Sequence, residues 1–425
     1  MKLIRIPPNY SGFKILMSTI YVAIILSSFK AEAQDVPLLR IDPSKSAGGL
    51  VSDYFQEIEY IPLETTKESL FGQVGQLIVS EESIVICDPD TKSILFFTKK
   101  GKLINKIRYK DNITVWLSYD WTLKRVCVTM DNDITGKSVI QYYSNQGILI
   151  ENSRLEVDAN GEYGSIALGN GFFANFKSCY REMGIPANNK IYHLVNIYKD
   201  QKPYKSFLPY SQTANPGACS WGLGGVRATN IVQNKSIFIS TPLNYEVYKI
   251  NPDTALKVFQ FVLPAKYSFD KRSLYINDEK FVDSMRNVLL RDPYKIVNIS
   301  NITTTNKFIL FKLNAALPSR GQIPVPLNLI YNFSNERLVA LERLTPDSTN
   351  SYLPILDYDS FLFIIYGLIY DQKYFYTTVS SLKMFNSYST NFSRRINYPV
   401  TLQKYFKTET RKSNPVIVKM KLKDF

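Results

Sequence analysis

Apolar and aromatic positions in this chain come in runs of about five residues, separated by short polar turns, and one such pattern recurs five times. It is seen in ILFFTKKGKLINKI from Ile94, IQYYSNQGILIENS from Ile140 and LVNIYKDQKPYKSF from Leu194. It returns in EVYKINPDTALKVF from Glu246 and LIYNFSNERLVALE from Leu329. The turns are Lys100-Gly101, Asn145-Gln146-Gly147, Lys199-Asp200, Asn251-Pro252-Asp253 and Ser334-Asn335. All use residues that accept tight-turn dihedrals, so each segment is predicted to be a β-hairpin. The starts are 46, 54, 52 and 83 residues apart. The first three spacings suit a four-stranded propeller blade of roughly 40 to 50 residues, with the hairpin as its outer half.

The inner strands of each blade should precede its hairpin. Candidates are Val74 to Val79 with Ser83 to Cys87, Thr114 to Tyr119 with Arg125 to Met130, and Val226 to Val232 with Ser236 to Ser240. The 83-residue interval leaves space for an insertion at about 268–298. There Asn277 and Asp278 can cap a helix bearing Phe281, Val282, Met285, Val288 and Leu289 on one face, stopped by Pro293. Near the C-terminus PVIVKMKL (Pro415 to Leu422) alternates as a strand without a following partner, and EIEYIPL (Glu57 to Leu63) has no blade of its own. Pairing them hides both edges. The expectation is an all-β, six-bladed propeller of four-stranded antiparallel blades, closed by its N- and C-terminal strands. The closing blade would draw its inner strands from Ile355 to Tyr370, with an irregular insertion at about 371–412.

The same residues carry a family resemblance. IEYIPLETT (Ile58 to Thr66), GQVGQLIVSEESIVICDPDTKSILFFTKKGKLINKI (Gly72 to Ile107) and the closing SNPVIVKMKLK (Ser413 to Lys423) resemble the exported six-bladed β-propeller proteins of Bacteroidetes. Those proteins are in turn similar to NHL-repeat and TolB-like propellers. The resemblance implies a fold and export, and little about biochemical role. Many relatives are lipoproteins, whereas no cysteine follows the N-terminal apolar stretch closely here.

That N-terminal stretch reads as an export signal over residues 1–33, leaving 34–425 as the propeller. Lys2, Arg5 and Lys14 precede the apolar Ile15 to Leu26, and Ala31-Glu32-Ala33 offers a cleavage site before Gln34. Twelve residues would span only about 18 Å of a hydrocarbon core roughly 30 Å thick, which disfavours a permanent anchor. No later run approaches spanning length. Export points to the periplasm or the outer cell envelope. Cleavage removes four basic residues and one acidic one, so the formal charge of +14 becomes +11. The excess favours acidic partners, and export argues against nucleic acid. Basic residues are densest at Arg394, Arg395, Lys404, Lys407, Arg411 and Lys412, which reads as a solvated surface segment.

Candidate chemistry is sparse. Cys87 and Cys127 sit within apolar runs and should be buried free thiols, while Cys179 and Cys219 are the better disulfide candidates. A catalytic triad would have to use His193, the single histidine, which lies at the start of a hairpin strand. Asp131-Asn132-Asp133-Ile134-Thr135-Gly136 matches half of an EF-hand loop, but position twelve would be Tyr142, so a turn is expected. Asp253-Thr254-Ala255 fits a short O-glycosylation pattern and is equally a turn. Trp221-Gly222-Leu223-Gly224-Gly225 leads into a strand rather than a helix, so it lacks the geometry of a dinucleotide loop. Its position suggests a channel mouth, where Trp221, Arg227 and Tyr210 are the candidate ligand-binding residues. No cofactor, metal or catalytic residue is nominated. The expected function is non-enzymatic binding or scaffolding, with a glycan, peptide or envelope protein as partner. The rival is a calcium-dependent, lactonase-like hydrolase or lyase built on the same fold.

Overall fold

A computed structural model describes residues 36–155, 162–177, 189–211, 213, 227–228, 235–241, 243–269, 294–315, 327–359 and 367–425. The proposed signal, the helix expected after Asn277, Cys179, Cys219 and Trp221 lie outside these residues. The chain first lays down two short strands, β1 (Leu38–Arg40) and β2 (Ala47–Leu50), then one helical turn, α1 (Val51–Tyr54), and the longer β3 (Phe55–Pro62). Blade 1 follows as β4 (Gln76–Val79), β5 (Ser83–Asp88), β6 (Ser93–Thr98) and β7 (Leu103–Arg108). Blade 2 is β8 (Ile113–Asp120), β9 (Arg125–Asn132), β10 (Lys137–Tyr143) and β11 (Leu149–Leu155). Blade 3 is β12 (Glu162–Gly169), β13 (Phe172–Lys177), β14 (Tyr192–Lys199) and β15 (Lys202–Tyr210). Blade 4 comprises β16 (Arg227–Ala228), β17 (Ile237–Ser240), β18 (Glu246–Ile250) and β19 (Ala255–Val262). Blade 5 comprises β20 (Ile296–Thr304), β21 (Phe308–Ala315), β22 (Asn328–Asn332) and β23 (Leu338–Thr345). The closing blade orders β24 (Ile369–Tyr370), β25 (Phe375–Val379), β26 (Val416–Leu422) and β3. The six-bladed propeller expected from the hairpin repeat is therefore present, and all five hairpins are outer halves of blades.

The closing pair has the anticipated partners. Val416 lies opposite Pro62, Ile417 opposite Ile61 and Val418 opposite Tyr60. Successive residues of β26 serve different neighbours, because side chains alternate across a strand. Ile417 enters the core shared with blade 1 (Leu77, Ile84, Leu95), and Val418 the core shared with blade 5 (Phe308, Ile330, Val339). A blade packed on both faces has strands that read as continuous apolar runs rather than alternating ones; all six residues of β5 are buried. Amide and hydroxyl side chains then stitch the inner strands of neighbouring blades together. Gln76 of β4 donates to the Val115 carbonyl at 2.7 Å and accepts from Leu117 N–H at 2.7 Å, both on β8. Ser118 accepts from Ala167 N–H, and Ser240 donates to Asn298. Gly101, in the β6–β7 turn, has φ +80°, and a Cβ there would stand 2.2 Å from the Pro62 carbonyl oxygen. Only glycine lets this turn press against the closing strand.

Three features depart from the sequence reading. No element is expected between the signal and Glu57, yet β1 adds in parallel to β19 and β2 in parallel to β23, giving blades 4 and 5 a fifth strand. Strands of three and four residues are too short to leave a period, and their place depends on the open outer edges they cover. Of the inner strands of the closing blade, β24 falls at the end of the expected Ile355 to Tyr370, but β25 comes from further along. Leu353, Ile355 and Leu356 are buried in a non-strand segment, and the β-branched and aromatic Phe375–Val379 supplies β25. The insertion therefore starts at Ser380, not Asp371, and it is helical: α2 (Ser381–Thr390) and α3 (Val400–Thr408).

Cys87 and Cys127 are buried free thiols, as expected. Burial pushes the Cys87 thiol up to about 11, and burial likewise raises Cys127 and, to about 12, Tyr248 and Tyr405. A group whose folded pKa is raised holds its full stabilising contribution below the unfolded value and loses it as pH climbs through the folded one. Stability is thus expected to be level from pH 7 to about 8.5 and to fall between about 9 and 11. Urea midpoints taken across that range check this, and Cys87→Ala should flatten part of the decline. A second expectation concerns closure: Ile417→Ala, at a fully buried position, should lose about 2–5 kcal/mol in urea unfolding.

Candidate functional site

Acidic and amide side chains recur at the ends of the strands, where the chain must turn. Asp88 accepts from the backbone N–H groups of Gly72, Gln73, Asp90 and Thr91. Asp120 accepts from those of Thr122 and Leu123, Asn251 from those of Asp253 and Thr254, and Asp371 from those of Lys373 and Tyr374. These oxygens stabilise turns. The half EF-hand segment behaves the same way. Asn132 accepts from Ile134 and Thr135 N–H, Ser138 donates to Asp131, and Thr114 donates to Asp133. Among the described residues no group of three His, Cys, Asp or Glu could hold a metal ion. His193 pairs with Pro209 in the outer hairpin of blade 3. The oxygen of Thr254 is buried without a hydrogen-bond partner inside the β18–β19 turn, which favours the turn reading over a glycan acceptor.

The channel-mouth candidates occupy three different situations. Trp221 lies outside the described residues. Arg227 opens β16, where its backbone pairs with Ser240 on β17; its side chain is outside the described residues. Tyr210 ends the outer strand β15, with its ring stacked on Tyr192 at a centroid separation of 5.6 Å and its hydroxyl raised to about 12 by burial.

A recess lined by described residues lies instead on the α2–α3 insertion, between strands β25 and β26. The local sequence explains the two helices. Ser380 caps α2, whose Met384, Phe385 and Tyr388 share a face, and Leu402, Tyr405 and Phe406 do the same on α3. Met384, Leu402 and Tyr405 are buried in the core shared by blade 5 and the closing blade. Polar contacts lock the insertion to the ring. Tyr405 donates to Ser381 at 2.8 Å, and Ser381 donates to the Asn414 carbonyl at 2.7 Å. Asn414 in turn donates to the carbonyls of Glu64 and Ser69. Lys383 bridges Asp357 and Asp359 at 2.8 and 3.0 Å. Burial alone would raise the Asp357 carboxyl, but the Lys383 ammonium and the Ser380 hydroxyl and N–H outweigh it and hold the group low.

A half-open pocket of about 430 Å³ lies in this insertion, lined by Tyr388, Tyr398, Phe406, Asn397, Gln403 and Lys407 among others. Tyr388 and Phe406 are stacked at 4.2 Å and 20°, and Tyr398 sits 5.5 and 5.3 Å from them. Gln403 Nε2 donates to the Tyr398 carbonyl at 2.7 Å, which fixes the amide at the rim. Tyr398 is 9% exposed, and its hydroxyl is buried with no hydrogen-bond partner. The sequence reading does not include these aromatics. Their i, i+3, i+4 spacing from Leu402 to Phe406 is the available signal, and reading the region as irregular conceals it. The six basic residues are all exposed, as expected, but Lys407 also lines the pocket.

Comparisons with known proteins agree with the fold. Residues 32–111 match a family model described as a 6-bladed beta-propeller. No curated protein sequence matches the chain. A candidate exported protein from Bacteroides fragilis superposes with a TM-score of 0.61 at 10% identity, covering 91% of this chain and all of that one. A Bacteroides vulgatus protein gives 0.43 at 8% identity, over 87% of this chain and 98% of its own. Virginiamycin B lyase from Staphylococcus aureus gives 0.34 at 14%, over 67% of this chain and 76% of its own. The expected likeness to six-bladed propellers and to exported Bacteroides proteins thus stands. No helix among the described residues is long and apolar enough to cross a membrane.

Since the oxygens of Asp131 and Asp133 already serve the β9–β10 turn, millimolar calcium or its chelation is expected to leave the urea midpoint unchanged. A calcium-dependent rise in that midpoint would return the loop to consideration as a metal site.

Proposed function

We propose that this chain is an exported binding propeller of the cell envelope, its signal removed after Ala33, and that it captures its ligand in the α2–α3 pocket. The observation that carries this reading is the aromatic wall of Tyr388, Tyr398 and Phe406, around a recess of about 430 Å³ held on a rigid blade. A recess of this size that combines aromatic rings with amide and ammonium side chains in its lining has the form of a small-ligand site. Tyrosine suits such a wall because it pairs an apolar face with a polar tip. The helices that carry the wall are anchored by Ser381, Asn414 and Lys383, so little ordering is needed on binding.

A propeller hydrolase or lyase would instead need carboxylates converging from several first strands. The acidic groups at Asp88, Asp120 and Asp371 are committed to turns, which favours binding over chemistry. Probing a glycan and peptide array with the mature protein tests the proposal. Tyr388→Ala is expected to abolish the positive signals while leaving the unfolding free energy within about 1 to 2 kcal/mol of the parent. Trp221→Ala and Arg227→Ala, run in parallel, weigh the channel mouth: loss of signal in those variants alone would move the site there.

A further inference from the structure

Residues 391–399 join the two helices of the insertion, and that connection is pinned from several sides. Asn391 donates to the carbonyls of Tyr352 and Ser387, and the Arg394 guanidinium lies over the Tyr352 ring at 4.4 Å. Gln403 holds the Tyr398 carbonyl. Two large apolar side chains nevertheless stand in solvent at its ends. Phe392 is 72% exposed, with its ring edge-on to Tyr388, and Val400, the first residue of α3, is 81% exposed. Single exposed apolar residues need no explanation. A pair of them on one short connection, set among cations alone, has a more specific chemistry.

From Ser381 to Thr408 the chain carries five Lys and Arg residues and no Asp or Glu. Lys383, near the start of α2, is taken by Asp357 and Asp359. Arg394, Arg395, Lys404 and Lys407 are exposed. Lys404 and Lys407 follow Val400 by four and seven residues, so helical periodicity sets all three on one face of α3. This combination selects among partners. A stable protein interface covers roughly 800 Å² on each side, with a well-packed apolar centre. Here the exposed Ser393, Arg394, Arg395, Asn397 and Pro399 separate Phe392 from Val400, so the two form no contiguous apolar centre. A lipid surface makes no such demand. Its headgroup–acyl boundary takes apolar side chains one at a time, and its phosphates take long basic side chains whose stems lie along the apolar layer.

We infer that the α2–α3 connection and the exposed face of α3 dock on an anionic lipid bilayer, with Phe392 and Val400 entering the headgroup–acyl boundary and Arg395, Lys404 and Lys407 on lipid phosphates. The docking does not depend on what fills the pocket. The test floats the mature full chain with vesicles of phosphatidylglycerol and phosphatidylcholine in equal parts, or of phosphatidylcholine alone. The mixed vesicles should bind at least about tenfold better, and raising salt from about 50 to about 500 mM should remove most of that preference. Arg395→Gln combined with Lys404→Gln should weaken binding about tenfold. Phe392→Ser combined with Val400→Ser should weaken it about fivefold or more. Ile134→Ser, at a 79% exposed position in the β9–β10 turn, should change nothing. Phe392→Trp keeps an aromatic ring in place; measured against the parent, its emission should move to shorter wavelength on mixed vesicles and be quenched by brominated acyl chains. Failure of the parent protein to bind mixed vesicles would overturn the proposal. So would binding that the Phe392 and Val400 pair of substitutions leaves intact, or a silent Phe392→Trp probe. Capture of soluble polyglutamate in preference to vesicles, lost on substituting Arg395 and Lys404 but not Phe392, would assign the surface to an acidic protein and overturn the lipid assignment.

Discussion

Pairing of β3 with β26 is the interaction on which the rest of this structure depends. A propeller is a ring of small sheets, each buried on both faces by its neighbours, so it has no stable open form in which five interfaces survive unchanged. Closing the ring with strands more than 350 residues apart in sequence brings the start and the end of the blade series into one sheet. The alternation along β26 makes that strand answerable to two cores at once: Ile417 faces blade 1 and Val418 faces blade 5. The glycine turn at Gly101, which takes the Pro62 carbonyl at a distance no side chain allows, shows how tightly blade 1 is fitted to this junction.

The same closing blade carries the feature of greatest functional interest. The connection from β25 to β26 is a helical pair whose apolar face completes the core between blade 5 and the closing blade. Asn414, immediately before the closing strand, ties that connection to the backbone that follows β3. The helices are therefore part of the closure as well as the carrier of the pocket. An aromatic recess built on such a support is held in place before a ligand arrives, which lowers the cost of ordering on binding.

Polar groups elsewhere have structural duties. Aspartate and asparagine oxygens hold turns, Gln76, Ser118 and Ser240 link inner strands across blade boundaries, and Cys87 and Cys127 are buried with their thiols pushed upward. Such groups are satisfied or protonated, and their removal would be felt first as lost stability. The Tyr398 hydroxyl and the oxygen of Thr254 are buried without a hydrogen-bond partner.

Hairpin repeats, blade number and ring closure were legible in the sequence, because each depends on local turn chemistry and on runs of residues that fit a two-sided core. Asn251-Pro252-Asp253 turns wherever it occurs, and PVIVKMKL needs a partner whatever surrounds it. The strands β1 and β2, the start of the insertion at Ser380 and the pocket were decided by tertiary structure alone. Three or four residues become a strand only when an outer edge stands open beside them. Tyr388, Tyr398 and Phe406 are spread over 19 positions and become a wall only when two helices fold against one blade. Local sequence specifies which conformations are cheap, whereas convergence of distant side chains requires the packed ring that brings their backbones together.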